Sequence, residues 1–323
     1  MKTILSIFCV ALLLLGGVLA WRYSSSNSQE EAVILTEDSA SHANNKSIGA
    51  KISLDASPYS NLSDPAIPHQ KRVAVLRDIN PDKLSDTDID ALFQLLNHQP
   101  ESGEESAWYL VMNEVMEQLR IHQIDSVRFI DSLLGIAQSP ESLDVTRDYA
   151  IQHLALFINP LATEGTAHNA PSLQAQQNIL SSFTDFIQHP ELAQTSIPGT
   201  TLMAIADLHD SGISDELLNP VLEELTPWLT DTISGKSEAN IMTTTSAINA
   251  VSILQLSEFT PVIRNLLASD KTPPSIRLNS IAALGVLGDD SDKSTLLAIA
   301  DSKSKFRFAA KSALKNLNKE HTN

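Results

Sequence analysis

From Asp64 onward, apolar residues recur at the spacing of helices that bury one face, and turn signals break them every 12–20 residues or about that. The pattern predicts successive pairs of antiparallel helices. A first pair covers 68–79 and 87–98, with Ser85 or Asp86 as the cap of the second helix, and a second pair covers 104–123 and 126–138. Trp108, Val111, Met112, Val115, Met116 and Leu119 form a continuous stripe on the first helix of that second pair. A third pair begins near Leu143 with Arg147, Ala150, His153 and Leu154. Residues 159–171, with a glycine and two prolines, then loop out before a helix over 172–188. The fourth pair is 198–209 and 219–231, the fifth 240–255 and 260–268, and the sixth 274–287 and 294–300. A helix over 306–317 closes the series. Asn219-Pro220 and Thr260-Pro261 both read as a capping side chain followed by proline at the first helical position, where a missing N–H costs nothing.

Two of these helices repeat one another. Arg277-Leu278-Asn279-Ser280-Ile281-Ala282-Ala283-Leu284 returns thirty residues later as Arg307-Phe308-Ala309-Ala310-Lys311-Ser312-Ala313-Leu314. In each, an Arg is followed at +3, +6 and +7 by small, small and Leu, which a helix gathers near one face. A narrow stripe of small residues lets neighbouring helices approach closely. Recurrence at this period indicates stacked repeats in place of one closed core.

Ser275-Ile276-Arg277, Ala282-Ala283-Leu284-Gly285 and Leu287-Gly288-Asp289-Asp290 resemble the bacterial type of the HEAT-repeat, or armadillo-like, family, most clearly over residues 270–317. Upstream the pattern departs, with Thr244 and Pro198 standing where the family has Arg. The resemblance implies an all-α, right-handed superhelical solenoid of antiparallel helix pairs over 64–323. It also implies that Asp270 with Arg277, and Asp301 with Arg307, knit neighbouring repeats as a structural ladder, with Arg147 and Asp144 as a third rung.

Ahead of this stack lies a different kind of sequence. Lys2 precedes an uncharged run over residues 3–21 and Arg22 follows it. As a helix that run reaches about 28 Å, close to the thickness of a bilayer core. Residues 1–22 are therefore expected to be a signal peptide cleaved after Ala20, or an uncleaved anchor with Trp21 and Tyr23 at the interface. Residues 23–63, rich in Ser, Asn and acids, are expected to form a disordered tether. Either fate places the bulk of the chain in the cell envelope, anchored and facing the periplasm or released into it. Cys9, the only cysteine, lies within the apolar run, so the rest of the chain has no disulfide and no thiol chemistry, which fits a bacterial exported protein.

The net charge is −17, with 39 acids against 22 bases. That balance argues against nucleic-acid binding. The sequence holds no Walker loop, no Gly-x-Ser-x-Gly, no dinucleotide fingerprint and no HExxH zinc motif. No catalytic residue, cofactor or metal is therefore expected. Glu216, Glu223 and Glu224 around Trp228 are the candidate partner-binding residues: acids flanking an aromatic suit a basic protein partner. The expected function is a non-catalytic scaffold that binds another protein. The alternatives are an enzyme or enzyme accessory, lyase-like or chaperone-like, using a polar groove near Tyr149 and His153, or a purely structural envelope protein. Tyr149 and His153 stand four apart and share a helix face, so a base or ligand there is chemically available.

Overall fold

The computed structural model describes residues 57–100, 102–163 and 171–320. The expected signal or anchor helix, and most of the expected tether, lie outside the described residues. Among those described, no helix is long and apolar enough to cross a membrane. The folded part starts earlier than residue 64: Pro58–Ser63 forms a 3₁₀ turn capped by Ser57, and Leu62 is buried within the core. Leu62 and the partly buried Tyr59 pack this segment on the core, although its composition reads as a tether.

Fourteen α-helices follow among the described residues: α1 His69–Arg77, α2 Asp86–Leu96, α3 Glu105–Ile121, α4 Ser126–Gln138, α5 Asp144–Ile158, the short α6 Pro160–Thr163, α7 Leu173–Gln188, α8 Ile197–Asp210, α9 Asp215–Ile233, α10 Ile241–Ile253, α11 Thr260–Ala268, α12 Pro274–Leu287, α13 Lys293–Asp301 and α14 Arg307–Glu320. There is no strand among the described residues. Side-chain caps set several starts. Ser85 accepts from the Asp88 amide at 3.2 Å while Asp88 accepts from the Ser85 amide at 3.0 Å, a reciprocal capping box. Ser172 and Asn240 cap α7 and α10 through the amides of Ala175 and Thr243.

The helices pack in two layers. In the first, α1, α3, α5, α8, α10, α12 and α14 lie side by side, each against the next. The second holds α2, α4, α7, α9, α11 and α13, and each of these packs on the first-layer helix that follows it. One apolar core runs between the layers, from Leu76 and Trp108 through Phe183 and Leu229 to Leu296 and Leu317. The small-residue stripes do what their spacing requires. A Cβ on Gly285 of α12 would fall 2.6 Å from the Cα of Ala313 in α14, closer than real atoms come, so that seam depends on glycine.

α9 departs from expectation. It begins at Asp215, not after Asn219, and carries Pro220 and Pro227 in its interior. Leu217 and Leu218 are both buried. Their burial draws the segment into the helix and outweighs the backbone bond and the room that Pro220 removes. Thr260 is likewise the first residue of α11 and not its cap, so Pro261 occupies the second position.

Two of the three expected ladder rungs form. Arg147 is buried, donates from Nε to the Ala137 carbonyl at 3.0 Å and lies 3.5 Å from Asp144. Arg277 donates to the Ser269 carbonyl at 2.5 Å and lies 3.5 Å from Asp270. In both, the Arg occupies the fourth position of a first-layer helix and satisfies a carbonyl at the end of the second-layer helix before it. The rung Asp301–Arg307 does not form. Both residues are exposed, and the Arg307 guanidinium lies over the Phe308 ring, 4.4 Å from its centroid. A fully hydrated ion pair stabilises too little to hold such a rung, and the ring offers a competing contact.

Candidate functional site

The helical period brings Tyr109, Asn113, Glu117 and Arg120 onto one face of α3, at intervals of four, four and three residues. That face meets α5. On α5, His153 stands six residues after Arg147, the place that Ala283 and Ala313 occupy after Arg277 and Arg307. An imidazole therefore fills a position where the C-terminal repeats keep a methyl group, and the seam between α3 and α5 becomes polar.

His153 is buried, yet an oxygen faces each of its ring nitrogens. Nε2 lies 3.1 Å from Asn113 Oδ1, and Nδ1 lies 3.7 Å from Glu117 Oε2. Arg120 holds the same Glu117 oxygen with Nη2 at 2.8 Å and Nε at 3.3 Å. With the Asn113 oxygen turned to the ring, Nε2 carries hydrogen, and Nδ1 faces the Glu117 carboxylate. Tyr149, one turn before His153, is half-buried. Burial raises its hydroxyl above the ordinary range, and the charge of Asp148 and the nearby Tyr109 add to the shift. At the end of this seam Tyr109 borders a hollow of about 20 Å³ shared with His98, Trp108, Ser142 and Thr146, room for about one water.

The other flanks are polar as well. Glu114 of α3 faces α1, where Arg77 reaches it with Nε and Nη2, both at 3.0 Å, and Gln118 donates to it at 2.8 Å. On the far side of α5, Asp148 accepts from the Ser196 hydroxyl at 3.1 and 2.9 Å. Burial raises the Asp148 carboxyl in spite of the Ser196 and Thr200 hydrogen bonds. Further along α8, the carboxyl of Asp207 is pushed up to about 6, first by burial and then by Asp210. The Asp207 residue as a whole keeps an open flank to water, so solvent screens part of that effect.

Tyr149 and His153, paired by sequence, do share one seam. Asn113 and Glu117 were missed, being 40 and 36 residues away and joined to His153 only by the layering. Glu114 and Gln118, polar residues interleaved with the apolar stripe of α3, were the visible signal that this helix has two polar flanks. Of the predicted partner-binding residues, Glu216, Glu223 and Glu224 are exposed along α9, and Trp228 is half-buried against the core. Among the described residues no three His, Cys, Asp or Glu side chains converge as a metal site.

No protein-family model matches the chain, and no curated protein matches it. Among solved structures, the chain is similar to human deoxyhypusine hydroxylase in complex with glycerol: 14% identity, 79% of this chain and 98% of that one covered, TM-score 0.28. So loose a likeness carries no argument about what this chain acts on. The expectation of a non-catalytic, protein-binding scaffold is withdrawn on other grounds: the α3–α5 seam buries an imidazole between Asn113 Oδ1 and the Glu117 carboxylate, which favours the alternative reading.

Proposed function

We propose that the chain is an enzyme, or a lyase-like or chaperone-like accessory to one, and that it works through the polar seam between α3 and α5. The architecture belonging to this reading is a HEAT-like, right-handed solenoid. The run over residues 3–21 supports a place in the cell envelope. One observation carries the functional reading: a buried imidazole whose two nitrogens face Asn113 Oδ1 and a Glu117 carboxylate, one turn from a half-buried Tyr149. His153 is the proton-transfer group in this arrangement. A substrate atom that takes the place of the Asn113 carboxamide meets Nε2, while Glu117, steadied by Arg120, stabilises the charged ring. The Tyr149 hydroxyl, kept protonated by burial, serves as hydrogen-bond donor to a developing negative charge. The chemistry available is proton donation from Nε2 to a small polar substrate, or retention of such a compound for delivery.

The test is a thermal-shift screen of small polar metabolites against the full chain, His153→Gln and Tyr149→Phe. Compounds that stabilise the wild type and lose their effect in both variants are the expected result. Ligands that bind all three proteins alike, with both variants folded, would refute the seam as the functional site.

A further inference from the structure

The last repeat reverses the charge of the chain. Between Ser302 and Asn318 stand five bases, Lys303, Lys305, Arg307, Lys311 and Lys315, and no acid, which leaves 17 bases against 39 acids elsewhere. All five are exposed. The ion pairs of the neighbouring repeats use Arg264, Arg277 and Lys293 and none of these five. α14 packs on α12 and α13 through Ala310, Ala313 and Leu317. Among the described residues no later helix covers its opposite side.

That opposite side is amphiphilic. Phe308 is 68% exposed, and Lys311, Ser312 and Lys315 follow at +3, +4 and +7, so cations border the ring on one helix face. Leu278, 44% exposed, occupies the matching position of the neighbouring α12. We infer that this end of the stack rests on an anionic bilayer surface, with Phe308 and Leu278 at the headgroup boundary and the five bases against lipid phosphates and carboxylates. Lys and Arg around an exposed aromatic is the composition that lies in such an interface, where each base adds to the attraction. A nucleic acid would engage the same cations but would leave Leu278 nothing to be buried against. The exposed acids of α9 do not oppose the contact. α9 packs on α10, two first-layer helices back from α14, which at 8–10 Å per helix is about 20 Å, beyond the screening length of about 8 Å. Asp301 stands exposed two residues before Lys303 and is outnumbered by the five bases, and Asp270 lies 3.5 Å from Arg277.

The experiment measures co-sedimentation of the full chain with vesicles of phosphatidylcholine alone and of phosphatidylcholine with phosphatidylserine at about 7:3. Reading the difference between the two compositions cancels whatever residues 3–21 contribute to both. The expected result is about a tenfold preference for the anionic vesicles, lost at about 0.5 M salt. Lys311→Glu with Lys315→Glu abolishes the preference, and Phe308→Ser weakens anionic binding a few-fold without altering its salt dependence. All three side chains are exposed, so circular dichroism melts should match the wild type, and the Gln pair replaces the Glu pair if they do not. Equal binding to both vesicles, or a preference that survives the double substitution, overturns the inference. So does tight binding of a single-stranded RNA oligomer, lost in the double variant, without any preference for anionic vesicles.

Discussion

Between α12 and α14 the backbones touch: Gly285 has no room for a Cβ, and Ala313 fills the space opposite. Between α3 and α5, at the matching repeat position, His153 pushes a ring into the seam and gathers Asn113, Glu117 and Arg120 around it. The comparison shows how one repeating architecture separates its roles. The close seam maximises apolar contact and leaves no side chain with chemistry to offer. The open seam gives up that packing, and the polar groups it buries must satisfy one another, which holds the His153 ring in one orientation.

The sharpest way to break this contrast is to force a side chain into the close seam. Gly285→Val must displace the backbone of α14, and the expected loss is about 3 kcal/mol in urea unfolding. A variant as stable as the wild type would mean that α12 and α14 do not meet at this distance. The open seam should respond to chemistry more than to volume. His153→Ala strands the Asn113 oxygen, while Arg120 still holds Glu117, and should cost about 1–3 kcal/mol. His153→Gln, which can still donate to Asn113, should recover most of it. If alanine and glutamine are equally stable, the hydrogen bonds of this seam contribute nothing.

Much of the layering was legible from spacing alone, because burial in a two-layer stack is periodic and the caps at Ser85, Ser172 and Asn240 are local. Pro220 misled because tertiary burial of Leu217 and Leu218 overrode a local stop signal. The site was half legible. Tyr149 and His153 announce themselves as polar residues on an apolar helix, but Asn113 and Glu117 become their neighbours only once α3 and α5 are stacked. The basic end was hidden by a total: a net charge of −17 obscures five bases within seventeen residues. Arg72 was missed too. It holds the fourth position of α1, as Arg147 does in α5 and Arg277 in α12, yet only a 3₁₀ turn stands before it to offer a carbonyl.

That difference among the arginines gives a finer test. Arg72 is fully buried, with Glu104 at 3.6 Å and the Trp108 ring at 5.8 Å, and its Nε and Nη1 have no acceptor. Arg147 has the Ala137 carbonyl. Arg147→Met should therefore cost about 1–2 kcal/mol by orphaning that carbonyl, whereas Arg72→Met should stay within about 1 kcal/mol of the wild type or exceed it. Equal losses at both sites would show that the guanidinium bonds are not what distinguishes the two repeats.

The smallest expected effect concerns the flank of α8. Asp207 has its folded carboxyl pushed up to about 6, against an ordinary value near 4, and Asp148 is shifted in the same direction. Between those values the folded chain keeps protons that the unfolded chain has released. Unfolding then gives up protons, so stability falls as pH rises from about 4 to about 6 and levels off above. Asp88 and Asp289 are shifted the other way and act below pH 4, outside this window. Asp207→Asn removes one titrating group without removing its volume. The variant should match the wild type near pH 4 and melt about 1–2 °C higher near pH 7. Because Asp207 retains an open flank to water, a larger gain would mean that its carboxyl lies deeper in the α8 flank than its exposure indicates. No gain at all would mean that solvent screens it completely, and the residual slope would then belong to Asp148, held by Ser196 on the side of α5 away from the open seam.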